Sequence, residues 1–325
     1  MRETSSIAIV SDIHFASDAE KLRRGHEARA IDNRLLRLLT TAYRRYFWLR
    51  DPFAHNHLLD RFILAARDSD LVVANGDYSC DTAFVGVSDD AAYASARICL
   101  SKLRAAFPER FQAVIGDHEF GKMSLFGGQG GLRLASWLRS VDSLALDPLW
   151  RLDLGRWVLV GVASSLVALP VFEPETLPEE RATWQCLREQ HIGAIRDLFR
   201  GVDANQRVVL FCHDPTALPF LWREGVVRSR IGQVRLTVIG HLHTRLVCWQ
   251  SRVLAGMPRI SFLGNSIRRM TEALRQARCW RPFRVRLCPS LAGCELLKDG
   301  GYGKIEIDPD AEELLSFRIH RMRRS

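Results

Sequence analysis

The segment Leu236-Thr237-Val238-Ile239-Gly240-His241-Leu242-His243 joins a short apolar run to two histidines one residue apart. The run is typical of a buried strand, because it is apolar and too short for a helix. Imidazoles at alternate positions of an extended segment point in nearly the same direction, so both can reach one point. Histidines at a strand end are more often ordinary polar residues than metal ligands. Whether these two bind a metal therefore depends on the residues found elsewhere in the chain.

The same arrangement recurs upstream, where short apolar runs end abruptly in Asp or His. Burying such groups without partners costs several kcal/mol, so packing alone is a poor explanation for them. The predicted strands and the polar residues that follow them are 7–10 with Asp12 and His14, 71–74 with Asp77, 111–115 with Asp117, His118 and Glu119, and 208–212 with His213. Asp81 follows Asp77 by four residues and is predicted either to support the ligands or to cap a helix.

These side chains form a set of carboxylates and imidazoles without cysteine. Such a set suits divalent manganese, iron, zinc or nickel and is a poor thiolate zinc site. It is too large for one tetrahedral ion but fits two ions that share a carboxylate. Two ions about 3.5–4 Å apart can clamp the attacking and leaving oxygens of an in-line displacement. The residue types therefore favour hydrolysis at phosphorus over redox chemistry.

The order Asp-x-His, Gly-Asp, Gly-Asp-His-Glu, a lone His and Gly-His-x-His resembles the calcineurin-like metallophosphoesterases from Asp12 to His243. The resemblance implies an α/β fold, with two mixed β-sheets packed as a sandwich and flanked by helices. The helical spacing of apolar residues within 18–67 separately predicts a helical insertion after the first strand. Two divalent metal ions are the implied cofactors, with manganese expected and iron, zinc and nickel as alternatives.

The resemblance also implies a role for each motif residue. Asp77 would bridge the two ions, and His118 would donate a proton to the leaving oxygen. Glu119 occupies a position where an acid could orient a neighbouring residue. The remaining implied ligands are Asp12, His14 and His243 on one ion, and Asp117, His213 and His241 on the other.

One motif departs from the family pattern, because Asp117 stands where the family usually has Asn. A carboxylate coordinates as well as an amide but adds a negative charge. We expect tighter binding of the second ion, lower Lewis acidity and some repulsion of an anionic substrate. Two subfamilies are disfavoured. The Asp-Arg-Gly of Ser/Thr protein phosphatases is missing, and Cys80 stands where purple acid phosphatases have Tyr.

Composition favours a cytoplasmic globular protein. The 325 residues are 47% hydrophobic, and no apolar stretch is long enough for a transmembrane segment. The N-terminus lacks the pattern of a signal peptide. The eight cysteines include no Cys-x-x-Cys pair and are predicted to be structural thiols in a reducing compartment.

The chain carries a net charge of +9, which predicts an anionic partner. The candidates are a phosphoester substrate, an anionic membrane surface and nucleic acid, although no nucleic-acid-binding motif is present. Basic residues concentrate at 268–286 and in the tail at Arg318, Arg321, Arg323 and Arg324.

A single domain over 1–325 is expected, with a helical insertion or cap at 18–67. Closing strands are predicted at 260–263, 303–307 and 315–319, the last two forming a hairpin, before a basic C-terminal tail. The glycine-rich segment 126–131 is interpreted as a hinge or lid. The basic and aromatic helix at 31–50 has two interpretations: apolar residues packed on the core, which we favour, or a membrane-surface element.

The prediction for function is a dinuclear metal-dependent phosphohydrolase. In-line attack by a metal-bridging hydroxide would cleave a phosphodiester, a phosphomonoester or a pyrophosphate. The alternatives are a nuclease and a catalytically weak metal-binding scaffold protein. The scaffold is disfavoured, because each motif position holds a chemically competent residue.

Overall fold

A computed structural model describes residues 4–124, 126, 128–260, 265–313 and 316–324, without the side chains of 265–267. Three predictions fall partly outside these ranges. They are residues 261–263 of one predicted closing strand, Leu315 of another, and Gly127 of the glycine-rich segment.

The strands form two five-stranded sheets. In chain order they are β1 Ser5–Val10, β2 Leu71–Asn75, β3 Phe111–Val114, β4 Leu149–Leu154, β5 Trp157–Val162, β6 Arg207–Cys212, β7 Val234–Ile239, β8 Val285–Leu287, β9 Gly301–Ile307 and β10 Ser316–Arg321. The first sheet has the order β10-β9-β1-β2-β3 and the second β4-β5-β6-β7-β8.

Both sheets are mixed. The pairs β1–β2, β2–β3, β5–β6, β6–β7 and β7–β8 are parallel, whereas β1–β9, β9–β10 and β4–β5 are antiparallel. Parallel neighbours end at one edge of their sheet, so the loops after β1, β2 and β3 lie side by side. The loops after β5, β6 and β7 do the same in the second sheet.

Helices cover the outer faces of the sheets. They are α1 Asp18–Lys21, α2 His26–Arg29, α3 Arg34–Tyr46, α4 His57–Ala65, α5 Asp90–Ala106, α6 Asp117–Phe120, α7 Leu134–Leu138, α8 Ser164–Val167, α9 Leu169–Phe172, α10 Arg181–Arg200, α11 Leu218–Arg223, α12 Gly225–Ser229, α13 Arg245–Val253 and α14 Asn265–Gln276. Among the described residues, no helix combines the length and the apolar character that crossing a membrane requires.

Alternation along the central strands divides the core into layers. Ile7 and Ile9 of β1 belong to a cluster with Trp157 and Phe211 between the sheets. The intervening Ala8 and Val10 join the larger cluster under the helices. A strand buried on both faces is apolar throughout, which is why these segments were recognisable from sequence. The predicted sandwich of two mixed sheets flanked by helices is confirmed.

The predictions for the segments after β7 were partly wrong. Ile260 is not in a strand, and the segment after it contains α14. The parallel partner at the edge of β7 is instead β8, a three-residue strand. So short a strand has no readable period. The predicted hairpin of 303–307 and 315–319 corresponds to β9 and β10.

Segment 18–67 contains α1 to α4, and our favoured interpretation of its central helix was wrong. Leu35, Leu38 and Leu39 of α3 are exposed, so the apolar side does not pack on the core. Polar contacts hold the opposite side instead. Thr40 is buried, and the Arg37 guanidinium donates hydrogen bonds to the carbonyl oxygen of Ile31.

Candidate metal centre

The loops after β1, β2, β3, β6 and β7 converge at one edge of the sandwich. They bring together two groups of candidate ligands whose nitrogen and oxygen atoms lie within 4.8 Å of one another in each group. Asp77 belongs to both groups. The first group is Asp12, His14, Asp77 and His243, and the second is Asp77, Asp117, His213 and His241.

Within the first group, an imidazole nitrogen faces a carboxylate. His243 Nε2 lies 3.3 Å from Asp12 Oδ1, and the rings of His14 and His243 stack with their centroids 5.1 Å apart. His14 Nδ1 contacts the carbonyl oxygen of Ser79 at 3.1 Å. A proton on Nδ1 satisfies that contact and leaves the lone pair of Nε2 for the site.

The second group is built around His213, which is fully buried. Its Nε2 lies 3.2 Å from both Asp77 Oδ2 and Asp117 Oδ1, and its Nδ1 lies 2.5 Å from the Asn75 carbonyl oxygen. His241 Nδ1 lies 2.9 Å from Asp117 Oδ1. The carbonyl contact therefore fixes which His213 nitrogen can act as a ligand.

Several of these atoms have no hydrogen-bond partner among the described residues. They are Asp12 Oδ1, Asp77 Oδ2 and His14 Nε2, all of them buried. Buried polar atoms are normally hydrogen-bonded, and each buried polar atom without a partner destabilises the folded state. Divalent cations would satisfy all three, and a carboxylate–imidazole donor set suits such ions. The residues therefore fit two metal ions.

The backbone at the site differs from our expectation of extended ligand segments. Asp12 and His14 have φ angles of 49° and 48°, and His241 and His243 have 54° and 58°. Non-glycine residues rarely adopt this left-handed region, at a cost of about 1–3 kcal/mol each. The alternating left-handed residues turn the chain across the sheet edge, so both side chains of each pair still reach the site.

Glycines allow the loops to approach each other. A Cβ on Gly240 would lie 2.0 Å from Ser11 Oγ and 2.6 Å from Asp12 Oδ2. A Cβ on Gly116 would lie 2.2 Å from Asp77 Oδ1. The loop after β7 therefore touches the loop after β1, and the loop after β3 touches the loop after β2.

Glu119 lies in α6 and points under the site. Its carboxylate accepts backbone N–H hydrogen bonds from Gly116 at 2.8 Å, Asp77 at 3.0 Å and Tyr78 at 2.8 Å. Burial and the Asp77 carboxylate raise the pKa of Glu119 to about 8, against the effect of these three donors. Glu119 thus joins the loops after β2 and β3.

His118 precedes Glu119 and faces the site. Its Nε2 lies 3.9 Å from Asp77 Oδ2, and its ring contacts that of His14 at a centroid distance of 4.8 Å. Burial lowers the pKa of His118 to about 3, even though the Asp77 carboxylate opposes the shift. The neutral imidazole is therefore the resting form at neutral pH.

Sequence reasoning missed Lys122, whose Nζ lies 2.8 Å from Asp117 Oδ2. Although burial opposes ionisation of Asp117, His241 and Lys122 hold its pKa well below the usual range. The positive charge of Lys122 lies beside Asp117, the residue that carries a negative charge where the family usually has the neutral Asn. A lysine five residues downstream belongs to no motif, and only the tertiary contact identifies it.

A cavity of about 310 Å³ extends from the site beneath α3. Its lining includes His14, His118, His243, Trp48 and Arg269. The ring of Trp48 lies 4.9 Å from that of His243.

Asp81 also lines this cavity, but it belongs to neither ligand group. It accepts a hydrogen bond from the Gly86 backbone N–H at 2.8 Å. Asp81 therefore stabilises the loop after β2, and Gly86 begins a short 3₁₀ helix.

The model of the calcineurin-like phosphoesterase family matches residues 5–245. A dimetal phosphatase from Danio rerio is 14% identical, with a TM-score of 0.50, over 93% of this chain and 92% of that chain. A purple acid phosphatase from yellow lupin (Lupinus luteus) seeds is 12% identical with a TM-score of 0.37, over 75% and 38%. No curated protein matches the sequence significantly.

Proposed function

The chain belongs to the calcineurin-like phosphoesterase family, and we propose that it hydrolyses phosphoester bonds with two divalent metal ions. The observation that carries this proposal is Asp77, which lies in both groups of candidate ligands. A shared carboxylate is the arrangement that a dinuclear centre requires.

In this proposal each group of side chains holds one ion. Asp12, His14 and His243 would hold the first, Asp117, His213 and His241 would hold the second, and Asp77 would be shared by both. When bound, the ions supply Lewis acidity to the phosphoryl oxygens and lower the pKa of the attacking water. Manganese is the proposed metal, with iron, zinc and nickel as alternatives that the same donors accept.

His118 is the proposed proton donor to the leaving oxygen. It faces the Asp77 carboxylate and lines the cavity. Burial favours its neutral form, but an anionic phosphoryl group beside Nε2 would raise its pKa again. The proton is thus held where the leaving group departs.

Lys122 is proposed to neutralise Asp117. The extra carboxylate would otherwise repel an anionic substrate, and the ammonium group at 2.8 Å cancels that charge locally. Lys122 also lines the cavity, as does Arg269, which forms an ion pair with Glu175 at 3.0 Å.

The substrate class follows from the proposed chemistry and the family. We propose an anionic phosphodiester, phosphomonoester or pyrophosphate in a cytoplasmic setting. The nuclease alternative has only the basic charge of the chain in its favour. The scaffold alternative is opposed by the full set of ligands and by the histidine beside them.

The test is Mn-dependent hydrolysis of bis(p-nitrophenyl) phosphate by the purified chain, with Asp77→Asn as the control. We expect activity that requires the metal and is abolished by the substitution. A chain that binds metal but hydrolyses neither this diester nor p-nitrophenyl phosphate with several divalent ions would support the scaffold alternative instead.

A further inference from the structure

Helix α3 presents an apolar face to solvent. Leu35, Leu38, Leu39 and Tyr46 are 66%, 66%, 57% and 61% exposed. Their spacing places them on one side of the helix, above one another. An exposed apolar stripe of this length is unusual on a soluble protein and marks a surface that another partner covers.

Contacts on the opposite side fix the orientation of α3. Thr40 is buried, Arg37 is hydrogen-bonded to the Ile31 carbonyl oxygen, and Arg44 forms an ion pair with Glu27. The polar side therefore faces the protein and the apolar side faces outward, the reverse of a helix that packs on a core.

The exposed apolar residues continue beyond the end of α3. Phe47 is 51% exposed, and its carbonyl oxygen accepts the backbone N–H of Leu296, which is 54% exposed. We call Leu35, Leu38, Leu39, Tyr46, Phe47 and Leu296 the α3 surface.

Charge around the α3 surface identifies its partner as anionic. Residues 34–50 contain no acidic residue, and they include Arg34, Arg45 and Arg50 besides Arg37 and Arg44, whose contacts face the protein. A second copy of the chain would bring like charges together across a two-fold interface. An anionic bilayer suits both features, since leucines and aromatic rings enter the acyl boundary while arginines contact the headgroups.

The α3 surface borders the cavity of the candidate metal centre. The ring of Phe47 stacks on that of Tyr43 at a centroid distance of 6.0 Å, and Tyr43, Arg44 and Trp48 line the cavity that His118 and His243 also line. A molecule whose apolar part stays in the bilayer can thus enter beneath α3 with its phosphate directed toward the site.

We propose that the α3 surface docks on an anionic lipid bilayer, and that the substrate is an amphiphilic phosphoester whose polar head enters the cavity beneath α3. The substrate half of this proposal rests on the proposed phosphohydrolase function, whereas the docking half does not.

Docking is tested by co-sedimentation of the full chain with phosphatidylcholine vesicles, with or without about 30% phosphatidylglycerol. We expect binding that requires the anionic lipid. Leu38→Glu should weaken it at least roughly tenfold, because a charge cannot enter the acyl boundary. Leu138→Glu on α7 is the matched control, since Leu138 is 51% exposed and lies outside the α3 surface. Circular dichroism and the melting temperature should show that both variants fold.

The outcomes separate docking from catalysis. Asp77→Asn should bind vesicles like the parent chain, even though it is inactive. If Leu38→Glu binds as the parent does, or if the parent binds no anionic vesicles, docking is overturned. A parent dimer that Leu38→Glu dissociates, without vesicle binding, would assign the surface to a second copy.

The substrate half is tested with hexadecyl p-nitrophenyl phosphate and its ethyl analogue in the presence of the same vesicles. We expect the long-chain diester to be cleaved at least roughly tenfold faster, an advantage that Leu38→Glu removes. Equal rates would overturn the amphiphilic substrate. Hydrolysis of neither diester would overturn the amphiphilic diester substrate, and hydrolysis of neither these diesters nor p-nitrophenyl phosphate would contradict the proposed function and leave the vesicle result standing.

Discussion

At the scale of single residues, a substitution of His118 tests proton donation separately from metal binding. His118 lies beside the Asp77 carboxylate and belongs to neither group of candidate ligands. We expect His118→Asn to lower kcat about 10²–10⁴-fold for a diester with an alkoxide leaving group, and less for a p-nitrophenolate that needs no proton.

Metal content per chain is the control for this variant. It should stay at the parent value in His118→Asn and fall in Asp77→Asn. Equal losses of rate on good and poor leaving groups would contradict the assignment of His118 as proton donor.

The Asp117–Lys122 ion pair gives a second prediction at this scale. Lys122→Met leaves the Asp117 charge uncompensated, so we expect kcat/KM to fall about tenfold. In an Asp117→Asn background the same substitution should cost much less. Steady-state kinetics of the four proteins measure this coupling.

Lys102→Met is a matched control, because Lys102 pairs with Asp60 on another surface and should not affect kcat/KM. A loss from Lys122→Met that is the same in both backgrounds would show that the lysine acts on something other than Asp117.

Motif residues could be predicted from sequence because each follows an apolar strand, and parallel strands end at one edge. Lys122, Trp48 and Arg269 could not, because their proximity to the site arises from tertiary contacts of loops and helices. The left-handed backbone of Asp12 and His14 was also missed, since residue type does not require it there.

Loop contacts set the geometry of the site at the scale of secondary-structure elements. A Cβ on Gly240 would overlap Ser11 and Asp12, so Gly240→Ala has to push the loops after β1 and β7 apart. We expect loss of most metal binding and activity, and a destabilisation of about 1–3 kcal/mol. Metal titration and urea unfolding measure the two effects.

Gly193→Ala is the control, because no atom lies within 4 Å of a Cβ built there within the described structure, and the residue is inside α10. It should stabilise the chain by about 0.5–1 kcal/mol, since Ala favours a helix over Gly. A Gly240→Ala variant that keeps full metal affinity would refute the close approach of the two loops.

Helix α3 shows what periodicity cannot reveal at this scale. The spacing of Leu35, Leu38 and Leu39 correctly predicts an amphipathic helix, but it does not say whether protein, lipid or solvent covers the apolar side. The burial of Thr40 and the ion pair between Arg44 and Glu27 of α2 show which side faces the protein, and both are visible only in the fold.

Metal binding and folding are coupled at the scale of the whole molecule. The ligands come from both sheets, from β1 to the loop after β7, so the unfolded chain cannot hold them together. Binding to the folded state alone at a hundred times Kd adds about 2.7 kcal/mol. We expect EDTA to lower the Tm by several degrees and manganese to restore it.

Calorimetry of the parent and Asp77→Asn chains with and without EDTA measures this effect. The substitution should abolish most of the EDTA shift. A parent Tm that does not respond to EDTA or to added manganese would contradict a metal centre spanning the two sheets.

The central claim is that two ions lie side by side and share Asp77. The most direct measurement is anomalous diffraction at the manganese edge from crystals of the manganese-loaded chain. Two peaks about 3.5–4 Å apart are expected, one beside Asp12, His14 and His243 and the other beside Asp117, His213 and His241, with Asp77 between them. A single peak, or two peaks that do not share Asp77, would contradict the account.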